Sequence, residues 1–403
     1  MRTENRRNRP PGARRAMRLS LLALLALAAA ALLAACGGGG SSSSSSSGGS
    51  GESGSSEEGE AVPAKLEGDP KACGTLNLYT WEGEAPEELL KPFEEKSGVT
   101  VKATYMTSAA EAIAKLAAGG TKQYDMIVAG SEISQPMKEA GVIKPINTEL
   151  LPEYSKLYKF TAEPFEYEGN TWAVVSDWGV NPFIYSTEVL KKEPTSWADL
   201  WSPELKGQVS LWEDISLIWV GASALGMDSD PEQLFELSQE QLDEIRDKML
   251  ELKGNVRTMW SSGGDLIQLY ANKEVGASMG WSYVINELRA KNEPVEEAHL
   301  EDMGAQAWSE GPALSSDISP DCEAAAYEFM NYLISPKGQL ALSESSTYTP
   351  VNPATKPLMS AELKEITGMN DPKKFLGSAI FKKAPADPEA YNQTMQEIIA
   401  GLS

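Results

Sequence analysis

Apolar and polar positions alternate from Thr75 to Trp81 (TLNLYTW), the two-residue period of a half-buried strand, and a helical spacing follows over Pro86 to Lys96 before Gly98. Pro92 lies inside that helical run and is expected to kink it. The alternation returns over Val99 to Tyr105, a helix is predicted over Ala109 to Ala118 ahead of Gly119-Gly120, a third strand over Tyr124 to Val128, and a helix from Ser131 to about Gly141. Strand, helix, strand, helix, strand, helix predicts a parallel sheet with right-handed crossovers. After Trp178-Gly179-Val180-Asn181 the pattern starts again. Thr195 or Ser196 caps a short helix with Trp197, Leu200 and Trp201 at helical spacing, Pro203 and Gly207 end it, and Gln208 to Trp212 alternates as a strand leading to Glu213 and Asp214. Helices are predicted near 216–227 and 231–253, a strand over Val275 to Trp281 and a helix over Ser282 to Lys291. From about Cys322 the chain reads as helical, over 324–333, 336–345, 361–366 and 388–400. The fold class is therefore α/β, and 403 residues, 41% of them apolar, suffice for two cores.

The first 60 residues have a different texture. Met17 to Cys36 (MRLSLLALLALAAAALLAAC) has a cationic start, an apolar run and a small-residue box, Leu33-Ala34-Ala35-Cys36, that resembles the bacterial lipobox. That resemblance implies a signal peptide over 1–35, cleaved before a diacylated Cys36, with Met1 or Met17 as the start; a plain membrane anchor is the alternative reading. Residues 36–72 are mostly Gly, Ser and Glu, so they cannot bury a core; as a flexible tether of ~35 residues they reach roughly 30–35 Å.

Charge and scarce side chains narrow the chemistry. The net charge is −23, and the leader holds seven Arg against one Glu, so the chain from Cys36 onward carries 28 basic and 57 acidic residues, or −29. Such a surface argues against nucleic acid. The sequence has one His, His299, to which a structural role is assigned; a His-based metal site or a Ser-His-Asp triad with a second base cannot be built, and no metal or cofactor is expected. Once Cys36 is lipidated, Cys73 and Cys322 remain, which an exported chain can pair as a disulfide or keep as two thiols.

Thr195 to Asp214 (TSWADLWSPELKGQVSLWED) resembles the spermidine/putrescine-binding lipoproteins and periplasmic proteins of ABC importers, and the likeness extends from about Thr75 to about Pro353. The resemblance implies a two-lobed fold of the type II periplasmic-binding-protein class, with hinge crossings that leave each lobe discontinuous: 74–180 plus 282–327 in one and 181–281 plus 328–403 in the other. It implies a monomeric carrier that takes a polyamine between its lobes and delivers it to a permease and ATPase complex. It implies no catalysis, and a place on the outer face of the cell membrane, or in the periplasm if there are two membranes.

The same resemblance selects the ligand residues. Trp81 closes the first strand with Glu82 in the loop behind it; Ser131 and Glu132 open a helix; Asp214 matches the first of two acids that clamp an ammonium; Trp260 and Trp281 match aromatic walls; Tyr348 lies in a late Tyr-Thr-Pro-Val-Asn segment. Three departures stand out. Leu217 occupies the place of the second acid, Tyr283 that of another, and an aspartate is missing around 312–316. Trp suits such a ligand because its face attracts cations, at ~0.5–2 kcal/mol, while its body covers methylenes. Trp197 and Trp201 are assigned to packing. Ser261-Ser262-Gly263-Gly264-Asp265 reads either as a helix cap or as amides open to an anion, which keeps an amino acid or opine-like carboxylated amine in play. A sugar stacked on Trp is a further alternative, as is an extracytoplasmic hydrolase using Glu213 and Asp214, although adjacent strand residues point apart.

Overall fold

The computed structural model describes residues 62–403 apart from 299, 305 and 378. The leader over 1–35, Cys36, most of the tether and His299 lie outside the described residues. Fourteen strands number in chain order as β1 Thr75–Thr80, β2 Thr100–Tyr105, β3 Met126–Gly130, β4 Ile143–Lys144, β5 Glu166–Tyr167, β6 Asn170–Thr171, β7 Asp177–Val180, β8 Phe183–Ser186, β9 Val209–Trp212, β10 Val256–Trp260, β11 Ala277–Met279, β12 Val295–Ala298, β13 Ala307–Ser315 and β14 Thr349–Pro350. They make a seven-stranded sheet in the order β14-β7-β13-β3-β1-β2 with β4 beside β13, a five-stranded sheet in the order β10-β9-β11-β8-β12, and the hairpin β5-β6.

The first sheet is parallel only where the strand–helix alternation builds it, over β2, β1 and β3. β13 then pairs antiparallel with β3, β4 and β7, and β14 antiparallel with β7. The expected parallel sheet is thus parallel over those three strands and mixed beyond them, where β13 and β14 arrive from the late chain instead of through crossover helices. β13 gives no sequence signal: AWSEGPALS has neither alternation nor an apolar run. Its Gly311 is required, since a Cβ there would come 1.9 Å from the Val174 carbonyl oxygen. In the second sheet β10, β9 and β11 are parallel and β8 is antiparallel to β11 and β12.

Strand pairing departs from the lobe limits anticipated above. β12, at 295–298, pairs with β8 in the five-stranded sheet, and β14, at 349–350, pairs with β7 in the seven-stranded one. The helix Pro336–Ser346 likewise packs on the helix Glu87–Ser97 of the first sheet, while Pro388–Leu402 packs on Gln239–Leu250 beside the second. Hydrogen-bonded partners distant in sequence decide these memberships, and local patterning does not register them.

Trp197 is fully buried against Phe183, at 5.6 Å between ring centroids, within a 3-10 turn whose capping box joins Ser196 and Asp199. The segment 231–253, read as one helix, breaks into the 3-10 turn Pro231–Phe235 and the helix Gln239–Leu250, because Ser238 and Gln241 form a second capping box that starts a new helix. Cys73 and Cys322 are joined by a disulfide, so the short helix Pro70–Cys73 is fastened to the helix Pro320–Leu333 across 249 residues of sequence. No helix among the described residues is long and apolar enough to cross a membrane.

Candidate functional site

The carboxyl ends of β1 and β3 in one sheet and of β9, β10 and β11 in the other converge, the position at which open α/β sheets hold ligands. Register sets the aromatic part. Trp212 on β9 lies directly beside Trp260 on β10, and the two indoles stack at 5.5 Å with 9° between their planes. Trp281, just past β11, stands edge-on to both at 5.0 Å, and Trp81, just past β1, reaches across from the other sheet to 6.1 Å from Trp212 and 6.4 Å from Trp281. Each such pair contributes ~0.5–1.5 kcal/mol beyond area burial, which fixes the rings as a rigid wall. Trp212 was not among the residues selected from sequence; β9 is buried on both faces, so its alternation does not single out a ligand side.

The loop Glu82–Glu84 joins the sheets. Glu82 Oε2 accepts from the Gly264 amide at 3.1 Å, at the N-terminus of the helix Gly263–Ala271 whose cap is Ser262. The Ser-Gly mouth read as a possible anion site is thus both capped, by Ser262, and filled, by a carboxylate of the chain itself. Tyr283 packs on the same loop: a Cβ at Gly83 would meet its ring at 3.2 Å.

Asp214 sits in the bend after β9, where its Oδ1 accepts from the Ser216 amide at 3.0 Å and hydroxyl at 2.7 Å. Lys382 Nζ donates to that hydroxyl at 2.8 Å and lies 5.5 Å from the Trp212 ring centre, with the residue only 3% exposed. Asp214, Glu213, Glu132 and Ser261 line a cavity of about 280 Å³. Glu132 also lines a smaller one of about 30 Å³, with Trp81, Trp212, Trp281, Trp308, Tyr348, Asn181, Glu310 and Lys382. Burial raises the Glu132 carboxyl above its usual range, opposed by the charge of Lys382.

A second acidic group reaches the small cavity through Glu310. Asp177 and Glu310 face each other across the antiparallel pair β7 and β13, and Glu84 joins them from the loop after β1; one oxygen of each lies within 4.8 Å of the others. Among the described residues this is the set of carboxylates able to share one cation. Burial, then the neighbouring acids, holds Glu84 and Glu310 well above the normal carboxylate range, and burial pushes Asp177 up to about 7. The Tyr348 phenol is raised too, by burial and by these three acids. The sequence reading selected none of the three, because they come from one loop and two strands with no shared motif.

Of the residues selected from sequence, Trp81, Glu132, Trp281 and Tyr348 line the small cavity and Asp214 the larger. Trp260 stands behind Trp212, 1% exposed. Ser131 lines a separate surface hollow beside Gln135 and Phe160, Glu82 is bonded to Gly264, and Tyr283 backs Gly83.

The profile of the bacterial extracellular solute-binding protein family matches residues 88–371, most of the chain. The chain belongs to that family. This solute-binding protein is 25% identical over 336 residues to the spermidine/putrescine-binding periplasmic protein of Salmonella typhimurium, covering 81% of the chain and 92% of the relative. It is also 25% identical over 322 residues to the putrescine-binding periplasmic protein PotF of Escherichia coli, covering 74% and 83%. Among solved structures, a putative spermidine/putrescine ABC transporter from Listeria monocytogenes superposes with a TM-score of 0.68 at 22% identity, over 81% of this solute-binding protein and 98% of that chain. These structural neighbours are of the type II periplasmic-binding-protein class, which is the fold.

Proposed function

We propose that the chain is the substrate-binding component of an ABC importer and that its ligand is a polyamine of the spermidine or putrescine class. The observation that carries this reading is a wall of Trp81, Trp212 and Trp281 beside buried acceptors that have no donor: Glu132 Oε2, Glu84 Oε1, Asp177 Oδ1 and Asn181 Oδ1. Donorless acceptors call for a ligand rich in N–H, and indole faces call for one that is cationic and apolar between its charges. The curated relatives named for polyamines agree. A carboxylated amine fits less well, because the helix mouth that would take its carboxylate holds Glu82. In the same reading the two lobes are built on the two sheets, with the chain passing between them at 180–183, at 298–307 and near 381. The protein acts outside the cytoplasm as a monomer held by lipid on Cys36, partners a permease and its ATPase, and catalyses no reaction.

Isothermal titration of the full chain, purified in detergent and refolded free of carried-over ligand, tests this with spermidine, putrescine, agmatine, γ-aminobutyrate and a disaccharide. A dissociation constant at or below micromolar, ~8 kcal/mol of binding, is expected for a polyamine. Heat from γ-aminobutyrate or the sugar alone would refute it.

A further inference from the structure

We propose that Lys382 stands in for the solute's cation: its ammonium joins the two sheets across the cleft until a polyamine displaces it. The inference rests on the polyamine reading for the ligand that is imitated, and adds a residue that sets how tightly that ligand is held. A lysine side chain is a run of methylenes ending in an ammonium, chemically an alkylamine carried on the chain. Its backbone belongs to one sheet. The Lys382 amide donates to the Ala307 carbonyl at 2.8 Å, the Ala307 amide donates to the Ile380 carbonyl at 3.1 Å, and Phe381 bridges Ala307 in parallel, so residues 380–382 lie along the start of β13. Phe381 also packs edge-on to Trp178 of β7, at 6.0 Å, which fixes the segment to the seven-stranded sheet. The side chain belongs to the other sheet. Nζ donates to the Ser216 hydroxyl at 2.8 Å, that hydroxyl donates to Asp214 Oδ1 at 2.7 Å, and the Trp212 ring centre is 5.5 Å from Nζ, inside the range of a cation–π contact. All three partners lie on β9 or in the turn and helix that follow it.

Charge and space agree with this role. Lys382 is 3% exposed, whereas its neighbour Lys383 pairs with Glu232 at the surface. Burying an ammonium is costly unless acids face it, and here Glu132 and Glu310 do: burial pushes both carboxyls up, and the charge of Lys382 pulls them down. The cavity that Lys382 lines with Trp81, Trp212 and Trp281 is about 30 Å³, room for one water-sized group. The indoles therefore cannot accept methylenes and an ammonium from outside while Lys382 keeps its place. A monoamine entering there exchanges one positive charge for another; a polyamine brings a further charge and gains by the exchange.

Hydrogen exchange read by mass spectrometry on the ligand-free full chain tests this at residues 212–217 and 281–285, in wild type, Lys382→Met and Lys382→Ala. Both variants should exchange roughly tenfold faster there while the melt stays cooperative, because the cleft opens without the body unfolding. Lys382→Met, which keeps the hydrocarbon and loses the charge, should bind putrescine several-fold more tightly by calorimetry. n-Propylammonium, the part of lysine that alanine lacks, should return Lys382→Ala to slow exchange, and n-propanol should not. Exchange at the wild-type rate in both variants overturns the proposal, and so does rescue by n-propanol as well as by the amine, which would show lost packing instead of lost charge. Putrescine bound no more tightly by Lys382→Met overturns the displacement. If wild type binds no polyamine, the polyamine reading falls by itself, since the exchange rates and their rescue are measured without one.

Discussion

The protein freed of ligand should lose stability as the pH rises from 5 to 8. Asp177 titrates near 3.9 when unfolded and at about 7 in the fold, so between those values the folded chain holds a proton that the unfolded chain has released. Stability then falls with rising pH, at about 1.4 kcal/mol per unit for one such group. From pH 5 to pH 7 Asp177 alone removes roughly 2 kcal/mol, the slope halving as the pH reaches its folded value, a large part of the ~5–15 kcal/mol that holds a domain together. Glu84 and Glu310, raised by burial and by Asp177, extend the loss upward in pH; Glu132 adds to it, and Lys382 opposes it at Glu132 and Glu310. For the ~340 described residues an unfolding entropy of ~2.1 cal/mol/K per residue converts ~2 kcal/mol into roughly 3 °C. Melting followed by circular dichroism at half-unit steps of pH measures this directly. Glu310→Gln supplies the control: one acid of the three is gone, so the slope should flatten and the melting temperature at pH 8 rise by several degrees. A melting temperature that stays level or climbs from pH 5 to 8, or a Glu310→Gln variant less stable than wild type at pH 8, would refute the reasoning.

Trp281→Ala removes the indole that stands edge-on to two others and lines the small cavity, and should weaken spermidine or putrescine at least tenfold by titration calorimetry; unchanged affinity would remove Trp281 from the ligand wall. Lys382→Met deletes the buried cation beside Glu132 and Glu310 and should tighten polyamine binding several-fold, with weaker binding counting against competition between Lys382 and ligand for those acids. Reducing the Cys73–Cys322 disulfide, which closes 249 residues, should cost roughly 2–5 kcal/mol in urea unfolding; an identical midpoint with and without reductant would show that the bond adds nothing.

Local chemistry made much of the frame legible. Alternation located β1, β2 and β9, and helical spacing located the helices Ala109–Ala117, Ala361–Ile366 and Pro388–Leu402 to within two residues of their ends. Trp81, Asp214 and Trp281 were found through the family resemblance, and each lies within two residues of a strand end, which is a local feature. What escaped is what depends on pairing. Trp212 joins the wall through its register with Trp260, and Glu310 meets Asp177 only because β13, a strand holding Glu, Gly and Pro, threads between β3 and β7. The acids sought at positions 217 and 283 are absent: Leu217 is fully buried in the helix Ser216–Ala224 and Tyr283 covers Gly83. Acidic groups gather near the cleft instead as Glu84, Asp177 and Glu310, of which Glu310 lines the small cavity, residues no single window of sequence brings together. Lys382 was missed likewise, since in sequence it is one of two adjacent lysines and in the fold it is 3% exposed against Ser216.

The bond from Glu82 to the Gly264 amide also acts as a standing competitor. A carboxylate carried on the chain a short loop away from its acceptor is present at an effective concentration of the order of millimolar. Free anions in the surroundings would have to exceed that level, or bind much better, to claim the helix mouth. Discrimination against anionic solutes would then come from the chain's own glutamate, without a clash or a fixed barrier, and its strength would be read from how far Glu82→Gln lets γ-aminobutyrate compete.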